Sequence, residues 1–165
     1  MSTNVQLIWK KIEHLRRMMA YLDYSRAQVA MLMPIRDWHQ LTPAHHATLA
    51  AFRVRFSEFQ EHLGKAMRAI AREEEQAIEP FSFVLNYMEK LEILDSVERW
   101  KLIRELHNAV NHDYEENEQR LSEFFLRLVE VTPELYAWFE RMVAFSEATY
   151  PLGGPVNSDN RYRVL

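Results

Sequence analysis

The residues able to do chemistry gather in one run, Trp100-Lys101-Leu102-Ile103-Arg104-Glu105-Leu106-His107-Asn108-Ala109-Val110-Asn111-His112-Asp113-Tyr114. At about 100° per residue, a helix through it sets Arg104, His107, Asn108, Asn111, His112 and Glu115 along one side. Leu102, Ile103, Leu106, Ala109 and Val110 fall on the other. Metal-independent RNA cleavage needs a base for the 2′-hydroxyl, an acid for the leaving oxygen and positive charge for the phosphorane. Imidazole supplies the first two near neutral pH and guanidinium the third. The same groups also suit the polar lining of a helix interface, where they would hydrogen-bond one another. Spacing alone leaves both uses open and favours the interface.

Other chemistries find little here. His107 and His112 are five residues apart, which turns them about 140° from each other on a helix, whereas one metal ion is chelated from i and i+4. Glu13-His14 and Glu58 to His62 have the wrong offsets for the paired Glu-x-x-His of carboxylate-bridged metal bundles. His45-His46, in a first helical turn, reads as exposed. The chain has no Gly-rich phosphate loop, no serine in a nucleophile elbow and no cysteine. Neither a metal nor a cofactor is expected.

The elements that must position the run are helices. Of three glycines, Gly153 and Gly154 sit together near the C-terminus and leave Gly64 alone in the body, so the glycine turns of hairpins and βαβ units are missing. With 165 residues, 48% hydrophobic and 12% aromatic, the chain can bury one core. The expectation is an all-α, antiparallel up-and-down bundle of five or six helices. It is a single domain over residues 1–150, followed by a mobile Pro, Gly, Asn and Asp-rich tail at 151–165.

Ile8, Ile12, Leu15, Met19 and Leu22 mark a helix over 5–31, closed by Pro34. Thr42 and Pro43 form an N-cap with proline at the first helical position. Leu49, Phe52, Phe56, Phe59, Leu63, Met67 and Ile70 then stripe a helix to about Glu75, read as core. Pro80 opens a helix with Val84, Leu85, Met88 and Leu91 inward, and Asp95 with Glu98 resembles a capping box for the next. Residues 96–131 contain neither Gly nor Pro, and a break is expected in the polar segment 113–117. Thr132-Pro133 reads as the cap of a last helix, with Leu135, Trp138, Phe139, Met142 and Phe145 on its apolar face.

A formal charge of −4 and a pI near 6.0 give no global attraction to phosphate, so nucleic acid would have to be met at a local site and transiently. Lys10, Lys11, Glu13, Arg16 and Arg17 interrupt the one early apolar stretch, and no run reaches the ~20 apolar residues of a membrane span. A soluble cytoplasmic protein is expected.

The run Arg104-Glu105-Leu106-His107-Asn108-Ala109-Val110-Asn111-His112-Asp113-Tyr114 resembles the signature of HEPN-domain proteins of the HepT type, Arg-Asn-x-x-x-His-x-Tyr. Phe52-Arg53-Val54-Arg55-Phe56-Ser57-Glu58-Phe59-Gln60-Glu61-His62-Leu63-Gly64 is similar to that family's Arg-Phe-x-x-x-Gln-Asp-x-x-Gly helix. Phe83 to Leu91, followed by Glu98-Arg99-Trp100, is similar to its Leu-Asn-x-x-Glu-Lys and Trp segment. The likeness covers about 42–145, in the family's order. It implies an all-α homodimer whose signature helices face each other across a two-fold axis. It also implies a minimal nucleotidyltransferase antitoxin as partner, and a metal-independent endoribonuclease toxin. His112 matches the catalytic histidine, Asn108 the amide, and Tyr114 the tyrosine that the nucleotidyltransferase adenylylates.

Three positions depart from the pattern. His107 stands where the family has arginine, with Arg104 one turn earlier on the same side. Glu61 stands for aspartate, and a glycine expected near Glu92 is absent, which should alter only the connector. The reading is a HepT-like toxin-side or substrate-binding-side component with Arg104, His107, Asn108, His112 and Tyr114 in a composite cleft, where Arg104 or protonated His107 would stabilise the phosphate of a transient RNA substrate. The alternatives are a catalytically inactive helical scaffold that only binds the nucleotidyltransferase, and an unrelated helical protein.

Overall fold

Two long helices form the first layer. In the computed structural model, which describes residues 2–113 and 118–152 with 110–113 by backbone alone, α1 spans Thr3–Leu32 and α2 spans Pro43–Glu73. The Ser2 hydroxyl caps α1 by accepting from the Val5 amide at 3.0 Å. Thr42 caps α2 with Pro43 in its first turn, and His45 completes a capping box: Thr42 Oγ1 accepts from the His45 amide while His45 Nδ1 accepts from the Thr42 amide, both at 3.2 Å. His45 therefore has a structural task where the sequence suggested mere exposure. The helices run antiparallel, since Asn4 donates to the Ala69 carbonyl at one end and Arg55 to Ser25 Oγ at the other. Ile8, Ile12, Leu15, Leu22 and Val29 are fully buried, which makes α1 part of the core rather than a separate arm.

After α2 come α3 (Phe81–Lys90), α4 (Val97–Asp113) and α5 (Glu118–Thr149), five α-helices among the described residues, with a short 3-10 turn at Trp38–Gln40. Among the described residues there is no strand. The expected separation near 113–117 falls between α4 and α5, and residues 114–117 lie outside the described residues. So do 153–165, which hold most of the expected mobile tail.

The cap of α4 lies one residue later than the capping box suggested. Ser96 Oγ accepts from the Arg99 amide at 3.0 Å, and Asp95 instead binds Trp138 Nε1 (2.9 Å) and Arg141 (2.8 Å) on α5. A forked Arg99–Glu134 pair at 2.6 and 2.7 Å joins it in fixing α4 against α5.

Thr132-Pro133 does not begin a helix. α5 runs straight through it, with the buried Thr132 hydroxyl donating to the Leu128 carbonyl at 2.6 Å. Proline at 133 cannot donate to the carbonyl four residues back. That carbonyl belongs to Val129, and Arg26 Nε of α1 donates to it at 2.9 Å. A distant side chain thus replaces the missing amide, which is why a local stop signal goes unheeded.

Candidate functional site

Trp100, Ile103 and His107, at i, i+3 and i+7, form the inward stripe of α4. Leu102 points outward, 49% exposed, contrary to its expected place on the buried side. The stripe is rotated because Trp100 must reach Trp138 (ring centroids 5.9 Å) while His107 stacks on Phe56 of α2 (6.2 Å, 26° between planes). The polar side read from the sequence is consequently divided: His107 is only 7% exposed, whereas Arg104 and Asn108 face solvent. Position 112 lies within α4, but its side chain, like that of Asn111 and all of Tyr114, is outside the described residues. The structure brings Arg104, His107 and Asn108 together on two turns and turns one of them inward.

Burial, then the charges of Arg104 and Arg53, hold the His107 imidazole below its ordinary pKa, so it is neutral at neutral pH. Its Nδ1 has no hydrogen-bond partner among the described residues. A neutral buried ring is poorly suited to carry positive charge to a phosphate. Arg104, permanently charged and exposed, is better placed for that task.

Beside Arg104 opens a groove of about 460 Å³ between α2, α3 and α4. Its walls are Gln60, Gly64, Phe81, Leu85 and Trp100, and its rim carries Lys65, Arg68, Lys101 and Arg104 with Glu61 and Glu105. Gly64 lets the three helices approach: a Cβ there would stand 3.2 Å from the Phe81 ring and 3.4 Å from the Trp100 ring. Gln60 is 1% exposed; its Nε2 donates to the Trp100 carbonyl at 3.4 Å and its Oε1 has no partner among the described residues. Sequence reasoning missed this groove by treating the α2 stripe as core alone. The available signal was Gln60, a polar residue between Phe59 and Leu63 in that stripe.

Among the described residues no group of three or more histidines or carboxylates could hold a metal ion, and the His14–His62 edge contact at 5.3 Å joins only two. Nor is any described helix long and apolar enough to cross a membrane. What fold and site define together is an all-helical protein with a cation-rimmed groove beside a polar helix. Comparison with protein-family models, curated proteins and solved structures found no match.

Proposed function

We propose that this chain is a HepT-like HEPN protein, the toxin-side component partnered with a minimal nucleotidyltransferase, acting on RNA without metal as a homodimer of up-and-down helical bundles. One observation carries the reading. The three separate stretches that resemble the family meet around one point, with Gln60 bonded to the Trp100 carbonyl, Leu85 in the same groove wall and Arg104 on its rim. Three short likenesses in sequence order acquire weight when they also meet in space. The missing glycine adds to this: Glu92 has φ 62°, the left-handed conformation that favours glycine, as the resemblance expects at that place.

In this reading His112 takes the proton of the 2′-hydroxyl or delivers one to the departing 5′-oxygen, with Asn108 orienting the phosphate. Attack of the 2′-oxygen on phosphorus forms one P–O bond and breaks the bond to the 5′-oxygen. Arg104 stabilises the charge between these events, since His107, which stands at the family's arginine position, is buried and neutral. Tyr114 is the site for silencing by adenylylation.

A second reading has a specific observation behind it. The same burial of His107 suits a scaffold that keeps the nucleotidyltransferase interface and has lost the chemistry. Incubating RNA with the purified chain in chelator separates the two. Cleavage by the native chain that disappears in His112→Ala, with dimer mass intact, supports the nuclease. Equal cleavage by both rejects His112, and none by either favours the scaffold.

A further inference from the structure

A second groove, of about 330 Å³, runs along the outer side of α3 and is walled by Gln76, Ala77, Phe83, Asn86, Tyr87 and Lys90. The last four recur on α3 at i, i+3, i+4 and i+7 and so share one side of that helix. Phe83 is 47% exposed there and Tyr87 is half-buried beside it. Two adjacent aromatic side chains therefore face an open groove, the kind of apolar patch that marks a contact surface.

The same corner is acidic. Glu73, Glu74 and Glu75 follow one another at the end of α2, where the helix dipole favours cations. Arg72 offsets one of these charges, Arg68 is engaged by Glu79 at 2.7 Å, and Glu73 accepts from Ser2 and Asn4. Glu74 and Glu75 form no ion pair among the described residues. The chain that leaves α5 is delivered to this spot: the Tyr150 carbonyl accepts from Trp9 Nε1 at 3.0 Å, and Leu152 packs against the core. Glu74 lies near both Tyr87 and Tyr150, because after burial it is the Glu74 charge that raises the pKa of each phenol.

Thirteen residues, 153–165, follow Leu152, and the segment Asn160-Arg161-Tyr162-Arg163-Val164-Leu165 holds two arginines and no carboxylate side chain. Side chains alternate along an extended strand, so Tyr162 and Val164 share one side and Arg161 and Arg163 the other. We propose that this segment docks in the α3 groove of its own chain, Tyr162 and Val164 against Phe83 and Tyr87, Arg161 and Arg163 toward Glu74 and Glu75. Lys90, on the same wall, has Asp159 as its counterpart. Reach is ample: thirteen residues extend to about 45 Å, whereas the ten residues of α3 make a helix about 15 Å long. A tether this short holds the segment at roughly millimolar local concentration, so contacts too weak for a separate peptide suffice. That favours the chain's own tail over a second copy. The docked segment straps α3 to the end of α5, in place of the free tail expected from composition. It depends neither on the ribonuclease reading nor on the groove beside Arg104.

Spin labelling of the full chain tests this. The chain has no cysteine, so Ser158→Cys supplies a single thiol for a nitroxide. The label should broaden the amide signals of Gln76, Phe83, Asn86 and Lys90 and leave those of Tyr24 to Thr48, at the opposite end of α1 and α2, sharp. A tail attached at Leu152 passes near α3 even when undocked, so the deciding comparison is with variants. Arg161→Glu together with Arg163→Glu turns two attractions into two repulsions and should lower the docked-to-free ratio about tenfold, with most of the broadening lost. Added salt should weaken docking of the native tail. Phe83→Ser should lower the ratio about fivefold by removing apolar contact. Native broadening in either variant overturns the proposal, and so does a native chain whose α3 signals stay sharp. Mixing spin-labelled chains with unlabelled, nitrogen-15 chains separates the sources of the segment. Broadening of the nitrogen-15 chains places a second copy's tail in the groove and overturns docking within one chain; sharp signals in the mixture, with broadening when label and isotope share a chain, support it.

Discussion

Arg26 and Pro133 form a coupled pair across α1 and α5, and the coupling has a size that can be measured. Pro133 takes one hydrogen bond from α5, and Arg26 returns one by donating to the stranded Val129 carbonyl at 2.9 Å. Replacing Arg26 by Met leaves that carbonyl buried without a donor, which costs about 1–3 kcal/mol. In a Pro133→Ala background the amide restored at that position can bond Val129 itself, so Arg26→Met should then cost only about 0.5–1 kcal/mol. The double-mutant cycle should thus show a coupling of about 1–1.5 kcal/mol, above the roughly 0.5 kcal/mol expected of independent sites. Other effects of losing Arg26, such as its charge near Tyr136, occur in both backgrounds and cancel. Urea unfolding followed by far-UV circular dichroism gives the four stabilities. If Arg26→Met costs the same with proline or alanine at 133, the arginine is not standing in for the absent amide and the explanation of the unbroken helix fails.

Further predictions follow from single residues. Glu92→Gly should stabilise the chain by about 1 kcal/mol, because a left-handed backbone penalises any Cβ; an unchanged urea midpoint would contradict that. Thr42→Ala should destabilise by about 1 kcal/mol through loss of the α2 cap, read in the same way. His107 has a folded pKa below its unfolded 6.5, so the unfolded chain binds protons first as the pH falls. Stability should therefore be unaffected by this group above pH 6.5 and decline below it until the folded value is passed. His107→Gln should flatten that decline in part, the shift of His62 in the same direction supplying another share; an identical pH profile in the variant would refute the burial argument.

The sequence was most legible where the signals are local and unopposed. Thr42 and Pro43 start α2 as their types require, and the stripe from Leu49 to Ile70 is buried throughout. It misled where a local signal competes with a distant partner. Thr132-Pro133 has the composition of a helix start, but Arg26, on another helix, supplies the donor that Pro133 lacks, and α5 continues. Asp95 looks like a cap, but Trp138 and Arg141 draw it away and leave the task to Ser96. The candidate site shows the same division. Helical periodicity alone places Arg104 and Asn108 outward, whereas the inward turn of His107 depends on Phe56. The groove depends on Gly64 and Phe81, and no pattern within α4 could announce it.

We propose that α4 cleaves RNA with Arg104 in place of the arginine that His107 replaces. Cleavage rates of native, Arg104→Lys and Arg104→Ala chains on one RNA in chelator test it most directly. Metal-independent cleavage by the native chain is expected, with a fall of about 10²–10³ in Arg104→Ala as a transition-state donor is lost and partial retention in Arg104→Lys. Native-rate cleavage by Arg104→Ala would contradict it.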